Sequence, residues 1–395
     1  MKKSFWGKIR GELRVIYMNL QRRAKGKKRI DTNYTVRVLG RKKYDSFFGY
    51  YDISPFNKHD EIVYIEVGKE MKCAEIVLHS IRENNTRIVT STRAWNWQQG
   101  ARLRWFPGSD DIITFNDYKP GKYYNRILNL RTKEERIIDY PIYDYNNDGS
   151  LALTLDFARL GVLRPGYGYT CEDYKVGDLT SNGIGIIDVA SGTLRHYITY
   201  SEIAKALNTK TLLENCYINH LSFSPSGKIF LFFWIEIVNK YHKASLAVYN
   251  IEKNEIIPLE TKEKVSHYVW QDDSNIICTS YLTPRDCSYY IYNVEQRKRQ
   301  IICPDILNRD GHPSIFKENI ILTDTYPDLS YIQHLMLVDL KNDFSKPLLN
   351  IYSDPHTIGE RRTDLHPRFN QCKDTICIDA NVYGNRKLYL LKEFE

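Results

Sequence analysis

HLSFSPSG at residues 220–227, followed after one lysine by IFLFFW at 229–234, decides how this chain reads. A polar residue, His220, opens the stretch; Phe223 follows three positions on. A Ser-Pro-Ser-Gly turn then leads into an unbroken apolar run. That order describes a short strand, a tight turn and a strand buried on both faces. It returns at His267 (HYVWQDD, then NIICTS), at His312 (HPSI, then NIILTD) and at His366 (HPRF, then TICIDA). Weaker copies begin at Tyr50, ahead of YDISPFN, at Arg102, ahead of LRWFPGSDDIITFN, and at Ile142, ahead of YDYNNDGSLALTLD. The seven copies lie about 40 to 55 residues apart, except for one gap of 78 that holds an insertion.

A repeat of this length, with up to four short strands per copy, cannot bury a face alone and reads as propeller blades. Third strands follow in the same order as ASLAVYNI, SYYIYNV, QHLMLVDL and RKLYLLKEF. The last copy ends without a fourth strand, and residues 35–38, ahead of the first copy, are predicted to supply it and remove the open edge. The expected fold is therefore all-β: a seven-bladed β-propeller over residues 31–395, preceded by a basic amphipathic arm over residues 1–30.

In an up-and-down blade, the start of the innermost strand and the end of the next strand share one mouth of the ring. Tyr50, Arg102, His220, His267, His312 and His366 are therefore expected around a single opening, with Asp324 and Asp379 close behind. The long connections leave from that side, and long loops on a rigid scaffold are where binding resides. The longest, after Asp156, carries Arg159, Arg164, Tyr167 and Tyr169 on a Gly- and Pro-rich backbone. Arg pairs bidentately with carboxylate and Tyr offers a stacking face, so this loop suits a carboxylated, ring-shaped ligand. His312, Asp324 and His366 are the candidate ligands of a divalent metal (Mn, Zn or Ca), with Asp310 and Asp364 close in sequence.

Charge is unevenly placed. The chain carries +8 overall, yet residues 1–30 hold eleven Lys or Arg against the single acid Glu12, leaving the remainder near neutral. Such an arm is suited to an anionic membrane surface, and Phe5, Ile9, Leu13, Ile16 and Leu20 recur at helical spacing within it. No nucleic-acid-binding motif follows, so nucleic acid is not an expected partner. Neither a signal-peptide core nor a membrane-length apolar run is present, which gives the expectation of a cytoplasmic protein, peripheral at the inner membrane face. The eight cysteines lack C-x-x-C spacing and read as reduced thiols.

FGYYDISPFN, DFARL with RPGYGY, HLSFSPSG, DGHPS with LTDTYP, and DLHPRF with CIDANVYGNRKLY together resemble the propeller proteins related to oligogalacturonate and ulvan lyases, including members associated with bacterial surface-polysaccharide genes. The resemblance spans roughly residues 45–392. It implies β-elimination on uronate-containing oligosaccharide: a metal or Arg164 neutralising the C5 carboxylate, His220 or His267 removing the C5 proton, and Tyr169 assisting the leaving oxygen. It also implies further His and Gln metal ligands just before the last His-Pro, where this chain has Arg361, Arg362, Thr363 and Asp364. The alternative expectation is a non-catalytic propeller that binds glycan or glycosyltransferases during surface-polysaccharide synthesis.

Overall fold

The computed structural model describes residues 28–170, 182–283 and 286–393. Among them, seven antiparallel sheets follow one another around a ring. Blade one runs through Asp45–Phe47, Glu61–Val67, Ala74–Ser80 and Asn85–Thr92, and blade four through Cys216–Phe223, Ile229–Val238, Tyr241–Asn250 and Glu255–Glu260. In every blade the second strand is buried on both faces, as TICIDA at Thr375–Ala380 and the IFLFFW run illustrate. Such strands need apolar residues at consecutive positions, the pattern that made the repeat visible.

Ring closure occurs where the sequence placed it. Thr35–Leu39 pairs with Lys387–Lys392 in register Thr35↔Lys392 to Leu39↔Leu388 and completes blade seven. Leu39, Phe48, Ile62, Tyr64, Cys377, Leu388 and Leu390 then form one buried cluster that seals blade seven against blade one. Truncating one of its leucines to Ala would cost roughly 2–5 kcal/mol.

Two features were not foreseen. Ile30–Thr32 is a strand, the fifth of blade six, paired with Phe344–Tyr352. The expected helix over 1–30 therefore does not extend through its last residue; residues 1–27 lie outside the described residues. The loop after Asp156 begins as a helix, α1, spanning Phe157–Leu163, capped by the Asp156 carboxylate accepting from the Arg159 amide. Among the described residues no helix is long and apolar enough to cross a membrane.

Candidate functional site

At the repeated first position the backbone leaves the strand. Arg102, His220 and His366 all adopt left-handed φ, at 53°, 58° and 48°, and the strand register shifts between Asn219 and Ser222 and between Val265 and Tyr268. Left-handed φ is unfavourable for residues with a Cβ and persists only where surrounding structure enforces it. Here it turns these side chains out of the sheet. Tyr50 and Tyr51 stand ring against ring, 4.7 Å between centroids, with the four histidines around them. Tyr50 packs on His220 at 5.5 Å and on His366 at 4.9 Å, while Tyr51 packs on His267 at 5.2 Å and on His312 at 5.2 Å.

His312, Asp364 and His366 offer ligand atoms that all lie within 4.8 Å of one another. The expected trio contained Asp324, and the structure corrects it. Asp324 sits behind His312, accepting from its Nδ1 at 2.9 Å and from its backbone amide at 2.6 Å. That bond leaves His312 Nε2 as the inward-facing nitrogen, buried without a hydrogen-bond partner among the described residues, as are both ring nitrogens of His366, whose Nδ1 lies 4.0 Å from Asp379. Burial drives the His366 pKa well below the usual imidazole value, with His312 adding to the effect. Burial also opposes charge on His312, but Asp324 outweighs it and raises that pKa. Burial disfavours an ionised Asp364, yet Arg362 overrides this and holds its pKa below the usual carboxylate value. Neutral imidazole, a second imidazole tautomer-locked by a carboxylate, and an ionised carboxylate form a set that fits a divalent cation.

Beside this group His267 Nδ1 lies 2.9 Å from Asp310, which also accepts from Ser266 and Tyr281 at 2.7 Å each. Burial lowers the His267 pKa against the pull of Asp310. Asp310 itself stays ionised, because its bond to His267 and its hydroxyl donors outweigh burial. His220 Nδ1 faces the Tyr51 hydroxyl at 3.5 Å, and burial, followed by His267, pushes its pKa well below the ordinary value. Both His220 and His267 line a cavity of about 380 Å³, together with Tyr50, Arg164, Tyr167 and Lys264. Arg164 and Lys264 form no ion pair with a carboxylate among the described residues, so the cavity is electropositive.

Three expected site residues are elsewhere. Arg102 is 2% exposed and donates bidentately to Asp52 at 3.0 and 2.9 Å, a structural pair and not a ligand contact. Arg159 spends its guanidinium on the Cys216 carbonyl, at 2.9 Å from Nε, and tethers α1 to blade four. Tyr169 is stacked on Phe157 at 4.6 Å, and its hydroxyl accepts from Asn116 at 3.0 Å, outside the cavity. Residues 157–170 are one loop in sequence, but the turn of α1 sends Arg159 and Tyr169 inward to the blades and leaves Arg164 and Tyr167 at the mouth. Asp364 was legible from its D-x-H spacing to His366. Arg362 was marked only by standing where the resemblance implies metal ligands; Tyr51 and Lys264 had no distinguishing signal.

No family model and no curated protein sequence matches this chain. Among solved structures, an oligogalacturonate lyase in complex with manganese superposes with a TM-score of 0.67 over 92% of this chain and 94% of that one, at 15% identity. The fold is that of the oligogalacturonate lyases. A second, from Vibrio parahaemolyticus, gives 0.64 over 93% and 98% at 11% identity. The propeller domain of the Trilobed protease from Pyrococcus furiosus, described as having an open velcro topology, scores lower, 0.52 at 11% identity over 89% and 96%. At these identities the likeness is one of fold.

Proposed function

We propose that this protein cleaves uronate-containing oligosaccharide by β-elimination, with a divalent cation held by His312, Asp364 and His366. The observation that carries the reading is the buried nitrogen of His312, without a hydrogen-bond partner among the described residues, grouped with His366 and Asp364 directly behind His267, which lines an electropositive cavity together with His220. A structural neighbour solved in complex with manganese supports the choice of cation class. When bound, the cation would neutralise the substrate carboxylate and so acidify the C5 proton. Arg164 and Lys264 orient that carboxylate. His267, held by Asp310 through Nδ1, presents Nε2 to accept the C5 proton, with neutral His220 flanking the reacting sugar. As the C4–O bond breaks, the electron pair from C5–H forms the C4=C5 double bond and the leaving oxygen takes a proton. Tyr167, at the mouth, replaces Tyr169 as its donor.

The test is incubation of the purified protein with oligogalacturonate and other uronate oligomers, with and without Mn²⁺ and chelator, following the absorbance of the unsaturated product. Metal-dependent product supports the reading; binding without unsaturated ends under either condition sinks it. A second reading, a non-catalytic glycan-binding propeller, is favoured by one contact: Arg362 already neutralises Asp364, at 2.6 to 3.0 Å. Binding without turnover would select it.

A further inference from the structure

The mouth of the propeller is not one opening. The loop after α1 and the connection from blade six to blade seven meet across it. Gly166 adopts φ of +92° and passes so close to Glu360 that a Cβ there would lie 3.2 Å from the glutamate's own. Gln98 locks the junction: its amide donates to Gly166 O at 3.0 Å, and its side chain donates to the Glu360 and Arg362 carbonyls at 2.9 Å each. Tyr167 and Arg362 face the first cavity, whereas Pro165, Gly166 and Glu360 face a second of about 1080 Å³. Its other walls come from residues 71–73, 93–97 and α1, all at the ends of blade strands that open on the same side as the histidines.

This second basin is built for a sugar chain. Trp95 and Trp97 stand edge to face at 5.2 Å, both only partly buried, and Arg361 covers Trp97 at 4.9 Å, leaving Trp95 as the available indole face. Lys72 and Arg93 on the rim are exposed and form no ion pair among the described residues, against the single acid Glu360. Apolar ring faces bordered by a few cations suit pyranose rings carrying carboxylates. The volume is nearly three times that of the first basin, and the junction of the Arg164–Tyr167 turn with Glu360–Arg362 separates the two. We infer that the second basin is a subsite for the continuation of the same acidic oligosaccharide, so that a chain long enough to cross the Gly166–Glu360 bridge binds more tightly than a disaccharide held in the first basin alone. The inference rests on the uronate reading of the first cavity.

The experiment titrates oligogalacturonates of two to eight residues into full-length protein carrying His267→Ala, followed by calorimetry and tryptophan fluorescence. Affinity is expected to rise roughly tenfold once the chain spans both basins, with a change in tryptophan emission. Trp95→Ala, and independently the surface pair Lys72→Gln with Arg93→Gln, should remove that gain and leave dimer binding unchanged. Equal affinity at all lengths, or a length dependence untouched by both sets of variants, overturns the subsite while dimer binding keeps the uronate reading. Absence of binding at every length overturns both.

Discussion

Asp324 holds His312 by two bonds at once, one to Nδ1 at 2.9 Å and one to the backbone amide at 2.6 Å, so that Nε2 can point only toward His366 and Asp364. A carboxylate behind a ligating imidazole sets its tautomer and raises its basicity. Asp324→Asn is therefore expected to weaken Mn²⁺ binding by about 10- to 100-fold without unfolding the protein. Calorimetric titration of Mn²⁺ into both proteins checks this, and unchanged affinity would mean that His312 does not bind metal.

In the Arg102–Asp52 pair the arginine is enclosed and the carboxylate largely so, and Arg102 also donates to the Tyr143 carbonyl at 2.9 Å. Removing one partner leaves an uncompensated buried charge. Arg102→Ala should lower stability by roughly 3–5 kcal/mol in urea denaturation. Oligogalacturonate affinity of the folded fraction should stay as in the wild type; a stable variant that loses affinity would return Arg102 to the ligand site.

Proton abstraction divides the two histidines at the cavity. If His267 is the base, His267→Ala should reduce kcat by about 10²- to 10⁴-fold. Asp310→Asn should also lower kcat, since it replaces the carboxylate that fixes Nδ1–H and favours the imidazolium with a neutral amide, while KM for a uronate oligomer changes little. A larger kcat loss in His220→Ala than in His267→Ala would reverse the assignment.

His79 lies in blade one, buried, with Nδ1 2.7 Å from Thr86 and Nε2 unpartnered among the described residues. Burial, with Arg37 adding, pulls its pKa down to about 4. Because the folded value lies below the unfolded one, the unfolded chain takes up the proton first as pH falls. This group is neutral toward stability above pH 6.5 and destabilises progressively between about 6.5 and 4, by on the order of 2 kcal/mol. Urea midpoints across that range should fall less steeply in His79→Gln than in the wild type.

Residues 1–27 hold nine Lys or Arg and one acid, and the described chain begins at the mouth-side end of blade six, where Ile30 pairs with Ile351. We propose that this segment attaches the protein to anionic membrane, each basic residue near the surface contributing about 1 kcal/mol. Deleting residues 1–27 should abolish flotation with phosphatidylserine vesicles; flotation of the truncated protein equal to the full chain would refute it.

His220, His267, His312 and His366 and the strands behind them were readable because a blade repeats its polar entry, turn and buried run at a fixed spacing. Burial on both faces demands consecutive apolar residues, and the missing last strand demanded a partner from the N-terminal side. Period and hydrophobic pattern are local properties, so the sequence by itself determined the seven blades, the closure by residues 35–38 and the convergence of the histidines on one mouth. Tertiary structure alone decided which polar groups at that mouth are free. Arg102 and Arg159 are ordinary arginines in sequence, and only the enclosed Asp52 carboxylate and the Cys216 carbonyl consume them. Asp364 stands two residues from His366 and Asp324 twelve from His312, but neither spacing says that Asp324 lies behind His312 and Asp364 beside it. Pairing of charges across blades depends on distances between residues far apart in sequence, which no local pattern encodes.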